Sequence, residues 1–197
     1  MKLKGQTISL RAIETSDINV LYQWENDTEI WNVSNTQTPF SHFILEQYIV
    51  NSHLDIYSAK QLRLMIDLAD VPATSDLHAS APIEKKQELI SREKSNTIGC
   101  IDLFDFEPNH LRAGIGILIA DKSNRKKGYA SEALEILIDY CFSTLNLRQL
   151  YCNITVDNES SVLLFQKHGF QITGVKKQWI RYGKEFKDEL FLQLIRK

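Results

Sequence analysis

The apolar run Ile115-Gly116-Ile117-Leu118-Ile119-Ala120 is soon followed by Arg125-Lys126-Lys127-Gly128-Tyr129-Ala130. Beyond it, Ala133, Leu134, Leu137, Ile138 and Cys141 recur at helical spacing, which predicts a helix over Gly128 to Thr144. A strand, a basic glycine-containing loop and a long amphipathic helix, in that order, restrict the chain to an α/β arrangement. They also define a binding element. The first backbone N–H groups of such a helix lack an intrahelical partner and point back into the loop. With the positive end of the macrodipole and three cationic side chains, the loop suits a polyanion, best a pyrophosphate. Gly128 lets the backbone approach phosphate oxygens where a Cβ would stand in the way. A basic surface loop with an ordinary helix start is the alternative for the hexapeptide alone.

The common phosphate motifs do not account for this loop. No G-x-x-x-x-G-K-[ST] occurs, and Gly114-x-Gly116 leads into strand rather than to a third glycine and a helix. Downstream, Leu147 to Val156 reads as a strand. Asp157-Asn158-Glu159-Ser160-Ser161 then opens a helix capped by Asp157 or Asn158 and stopped at Gly169 of Lys167-His168-Gly169-Phe170. Arg125-x-x-Gly128-x-Ala130 after a strand, with Asn158-x-x-Ser161 and Gly169-Phe170 following in order, resembles the GNAT superfamily of N-acetyltransferases. The resemblance runs from Gln6 to Lys197 apart from one insertion. It points to the branch that contains ribosomal-protein N-terminal alanine acetyltransferases and spermidine acetyltransferases.

That resemblance implies an α/β (α+β) fold with a mixed, mostly antiparallel sheet of about seven strands, splayed in the middle and flanked by helices. It implies acetyl-CoA as co-substrate and direct attack by a primary amine, either a protein N-terminus or a polyamine-like small molecule. Ile117, Leu118, Ile119 and Ala120 would pair with the pantetheine amides, one N–H facing the thioester oxygen. Arg125, Lys126, Lys127, Gly128, Tyr129, Ala130 and Ser131 would hold the diphosphate. Asn153, Asn158, Ser161, Phe165 and Lys167 would lie beside the pantetheine arm. Gly114 and Gly116 suit either a bulge that opens the sheet or plain close packing.

Proton transfer is less well specified. Relatives commonly carry a tyrosine where this chain has Phe165, which cannot donate a proton. The thiolate then leaves unaided, which a thiol pKa of about 8.5 permits, or Tyr129, Tyr151 or Tyr182 substitutes, or activity is weak. Asp102 and Asp105 lie in the otherwise apolar strand Thr97 to Phe106, where unpaired burial is costly. Each is a candidate to take the proton of an ammonium of pKa about 10.4, or else one half of a structural ion pair. In the acidic, aromatic connection Trp24 to Trp31, Glu25, Glu29 and Trp31 are candidates to meet a cationic acceptor, with a solvated helix end as the alternative. A non-catalytic acyl-CoA-binding regulatory module is the second functional possibility, which Phe165 permits.

Length and charge narrow the rest. The chain has 197 residues, enough for one domain with a substantial core. Lys and Arg number 23 against 25 Asp and Glu, so no global basic field invites nucleic acid. Without an apolar leader or a stretch near the ~20 residues that span a bilayer, a cytoplasmic, non-membrane protein is expected. Cys100, Cys141 and Cys152 share no C-x-x-C spacing and read as reduced core thiols. The five histidines show no H-E-x-x-H, so no metal is expected. A homodimer is possible. Further strands are expected over Gln6 to Ile13, Gln61 to Leu68, Leu111 to Ala120, and in a hairpin of Gln171 to Ile180 with Lys187 to Ile195. Shorter helices should follow Thr15 to Asp17 and Ser41. Ala69 to Asn96 is the insertion, expected to be disordered or to carry a loose helix over Ile83 to Lys94, or else to act as a lid or dimer contact.

Overall fold

The computed structural model describes residues 3–34, 36–52, 54–69 and 96–197. The expectations for the insertion, at 70–95, fall outside these residues. Among the described residues eight strands form one sheet: β1 (Leu3–Lys4), β2 (Ile8–Ala12), β3 (Leu62–Leu68), β4 (Thr97–Glu107), β5 (Arg112–Ile119), β6 (Gln149–Thr155), β7 (Gln171–Tyr182) and β8 (Glu185–Ile195). Their order is β1-β2-β3-β4-β5-β6-β8-β7. Every neighbouring pair is antiparallel except β5 with β6. The mixed, mostly antiparallel sheet matches expectation, with β1 as an additional short edge strand.

Helices cover both faces: α1 (Ile18–Glu25), α2 (Thr28–Ser34), α3 (His42–Asn51), α4 (Ile56–Ala59), α5 (Tyr129–Ser143) and α6 (Glu159–Lys167). Ala133, Leu134, Leu137 and Cys141 of α5 are fully buried against Ile8, Leu10, Ile66, Ile101 and Ile115 of the sheet. Each such large side chain contributes about 1.5–3 kcal/mol on leaving water. On the opposite face Leu21 of α1 and Leu45 and Ile49 of α3 pack on Ile13, Met65 and Cys100. Period-2 alternation along β3 and β4 therefore supplies two cores, one per face.

Local chemistry explains where the helices begin. Ser41 accepts a bond from the Ile44 N–H at 3.2 Å and starts α3. Asp55 caps α4 through the N–H groups of Tyr57 and Ser58 at 2.8 and 3.0 Å. The acidic connection after Trp24 contains a helix, α2, because Asp27 takes the Glu29 N–H at 2.9 Å and its carbonyl takes those of Ile30 and Trp31. Early in α5, the Glu132 carboxylate accepts from the Gln6 and Thr7 N–H groups and the Thr7 hydroxyl. That ties the helix to the turn before β2.

Candidate active site

The site begins where two strands part. β5 and β6 pair only at Arg112–Gln149, Ala113–Leu150 and Gly114–Tyr151. β5 then runs on to Ile119 and β6 to Thr155 with no ladder between them. Alternate residues of β5 turn their N–H and C=O groups away from β4, toward this gap. The glycine bulge that was one explanation for the opening is not there. The register shift lies in β4, between Phe104 and Glu107, where Asp105 has φ +48°. Gly114 is small because a Cβ would overlap the Phe104 ring. Close packing is the reason for that glycine.

An outer cleft of about 630 Å³ opens on one side of the gap. Ile117, Leu118 and Ile119 form its floor, and Asn124, Arg125, Lys126, Gly128, Tyr129, Ala130 and Ser131 one wall. The loop is shaped by Asp121, which accepts from the Ser123 N–H at 2.7 Å, and by two left-handed residues, Lys126 at φ +61° and Gly128 at φ +91°. Gly128 is the N-cap of α5. Its Cβ position has nothing within 4 Å, so the glycine is required by its φ and not by close packing. The first-turn N–H groups of α5 lack intrahelical partners at this wall. Arg125 also serves as a brace: Nε donates to the Ile119 carbonyl at 3.0 Å and Nη2 to that of Ala120 at 3.1 Å.

The second wall combines α6 with the β7–β8 hairpin. Asn158 caps α6, its Oδ1 accepting from the Ser161 N–H at 3.3 Å, and both residues line the cleft. Tyr182, one of the candidate proton donors, lines this cleft; sequence patterns did not mark Thr155, Asp157, Ser160, Leu164, Ile180 and Lys187 as site residues, and they complete the lining. Lys187 pairs with Asp157 and sits 4.0 Å above the Tyr182 ring. Ala120, Lys127 and Lys167 line neither cleft. Lys167 Nζ instead donates to the Ser131 hydroxyl at 3.2 Å, and that hydroxyl meets His168 Nε2 at 2.8 Å. Burial, then the Lys167 charge, pushes His168 below its ordinary pKa.

Across the gap lies an inner cleft of about 450 Å³. It shares Ile117, Leu118, Thr155, Asn158 and Ser161 with the outer one, so the two communicate through the parted strands. Asn153 and Phe165 line it, as do Glu25 and Asp102. Phe165 is 3% exposed and meets Phe170 edge-on at 5.0 Å between centroids. Asp102 takes Arg63 on both oxygens at 2.8 and 2.9 Å, and Arg63 reaches Glu25 at 2.6 Å. Asp102 is thus one half of an ion pair. Asp105 is exposed and outside both linings, accepting from the Tyr151 hydroxyl at 3.0 Å. Burial and that carboxylate push the Tyr151 phenol up to about 12. Tyr129 lines the outer cleft alone.

Of the three acceptor candidates the structure brings only Glu25 to the inner cleft. Glu29 is exposed and pairs with Lys122 at 2.6 Å, and the Trp31 indole donates to the Glu25 carbonyl at 2.6 Å. Trp24, Ile30 and Ser34 line that end instead. Two charged lining groups, Arg63 and Glu189, carried no motif in the sequence. Only strand register places them, Arg63 opposite Asp102 and Glu189 opposite Thr155.

Comparison with known proteins bears on the family and the fold. An uncharacterized N-acetyltransferase of Bacillus licheniformis is 25% identical over 195 residues, covering 99% of this chain and 96% of the relative. A spermidine N(1)-acetyltransferase of Vibrio cholerae is 23% identical over 163 residues, covering 83% of this chain and 78% of that protein. The crystal structure of a Vibrio cholerae spermidine N-acetyltransferase in complex with CoA and spermine superposes with a TM-score of 0.76. Identity there is 22%, over 97% of this chain and 96% of that one. The acetyltransferase (GNAT) domain family matches residues 7–171, most of the chain, and this protein therefore belongs to the GNAT acetyltransferases.

Proposed function

We propose that the protein transfers the acetyl group of acetyl-CoA to a primary amine, either a protein N-terminus or a polyamine-like small molecule, by direct attack. The observation that carries this is the pair of clefts joined through the gap between β5 and β6 beyond Gly114 and Tyr151. A diphosphate on the first turn of α5 sends the pantetheine arm along Ile117 to Ile119, where strand groups turned toward the gap match its amides. The thioester then reaches the gap while the amine enters from the acidic inner cleft. Attack by the neutral amine on the thioester carbon forms the C–N bond and breaks the C–S bond, the nitrogen releasing one proton to water and the sulfur leaving as thiolate, while a strand N–H facing the carbonyl oxygen stabilises the developing charge. With phenylalanine at 165, the thiolate departs without a proton from that position. The V. cholerae relatives act on, or are bound to, polyamines by name, which supports a cationic acceptor.

A second function, a non-catalytic acyl-CoA-binding regulatory module, is favoured by Phe165 specifically. Thiol release from acetyl-CoA, measured across polyamines, aminoglycosides, amino acids and ribosomal-protein peptides, separates the two. Turnover with at least one primary amine is expected. Calorimetric binding of acetyl-CoA with no thiol release from any amine would establish the regulatory module instead.

A further inference from the structure

The carboxylates that line the inner cleft are already held by cations. Arg63 spans Glu25 and Asp102. The third, Glu189, is only 6% exposed and accepts from Lys176 Nζ at 2.8 Å. Lys176 faces Glu189 in register across the β7–β8 hairpin. Its ammonium also donates to Asn153 Oδ1 at 2.8 Å and lies 5.4 and 5.9 Å from the Trp179 and Phe191 ring centroids. A carboxylate, an amide oxygen and two aromatic rings are what an alkylammonium seeks. Here a side chain of the protein fills that cage, and two of its members, Asn153 and Glu189, line the inner cleft.

The charge balance follows from these contacts. Glu25, Asp102 and Glu189 carry three negative charges; Arg63 and Lys176 carry two positive ones. The remaining titratable lining groups, Cys100 and Cys152, are neutral thiols pushed up to about 12 by burial. One unit of negative charge is left for an incoming ammonium. A second ammonium would enter a cleft already neutralised, and Lys176 would already stand in the cage suited to it.

We propose that Lys176 is a specificity-determining residue that restricts the acceptor to one cationic centre, a monoamine or a peptide N-terminus, by occupying the subsite a second ammonium would need. This rests on the inner cleft receiving the amine, as proposed above.

The test compares butylamine with diaminobutane on the full-length, CoA-loaded protein, by calorimetric affinity, and with acetyl-CoA by kcat/KM. The native protein should favour the monoamine. Lys176→Met should move the affinity ratio toward the diamine by roughly tenfold or more, the size of one charge contact at intermediate dielectric. Lys176→Arg, which keeps the charge, should retain the native ratio. Lys177→Met, which removes the next residue's exposed charge, paired with Asp188 of β8, should also retain it. A Lys176→Met ratio within about twofold of native, far below one charge contact, overturns the proposal. So does a native preference for the diamine, or failure of both amines to bind. Absence of thiol release with any amine would instead count against acetyl transfer, while the affinity ratio still reports on Lys176.

Discussion

At the scale of single residues, Phe165 is the position where chemistry and packing meet. Its ring is locked against Phe170 and also faces the inner cleft. Phe165→Tyr keeps the ring and adds a hydroxyl at a residue that lines the inner cleft. Acetyl-CoA affinity should stay within about twofold, and turnover should rise roughly tenfold or more if proton donation to the thiolate is limiting. A collapse in cofactor affinity would place the side chain elsewhere. Phe165→Ala should cost about 3–5 kcal/mol by chemical denaturation, because a large fully buried ring leaves a cavity. That Phe165 stands where relatives commonly carry a tyrosine was legible through the family resemblance, from its place in the helix before Gly169-Phe170. The partners of Asp102 and Glu189 were not. Arg63 lies 39 residues from Asp102 and Lys176 lies 13 from Glu189, and only strand pairing brings each into contact.

At the scale of elements, the junction of β5 with α5 depends on a left-handed residue. Gly128→Val places a β-branched side chain at φ +91°, a strain of about 1–2 kcal/mol. Residue 128 also lines the outer cleft, so the added side chain stands at the mouth of the helix. Acetyl-CoA binding should weaken severely by calorimetry, beyond what the loss in melting temperature explains; unchanged affinity would remove the diphosphate from this loop. Arg63 joins a second pair of elements, connecting the end of α1 through Glu25 to β4 through Asp102. Arg63→Ala leaves two half-buried carboxylates unpaired. The expected loss is roughly 2 kcal/mol, below that of a fully buried pair because the site is partly solvated. For a chain of this size that lowers the melting temperature by roughly 4–8 °C. Most strands and the two long helices were readable from periodicity and caps. Helix α2 was missed because the acidic residues that suggested a solvated connection include its own N-terminal cap, Asp27.

For the whole molecule, the three thiols give a pH dependence with a definite sign. Burial raises Cys100, Cys141 and Cys152 from about 9.0 to about 12. Below about 9.0 both folded and unfolded thiols are neutral and their contribution is complete. Between about 9.0 and 12 the unfolded chain ionises first, so stability is lost as pH rises through that window. The melting temperature should fall there, and a variant with all three cysteines changed to alanine should fall less steeply. Equal slopes would mean that the thiols ionise alike in both states. By itself the sequence determined the α/β class, the basic glycine loop that opens α5 and the capped helix that follows β6. These rest on periodicity, caps and motifs whose residues are near neighbours in the chain. Only the tertiary structure decided where β5 and β6 part, which acidic residues face the inner cleft and which cations hold them. Those depend on register among strands far apart in sequence, where a shift of one residue would turn every side chain to the opposite face.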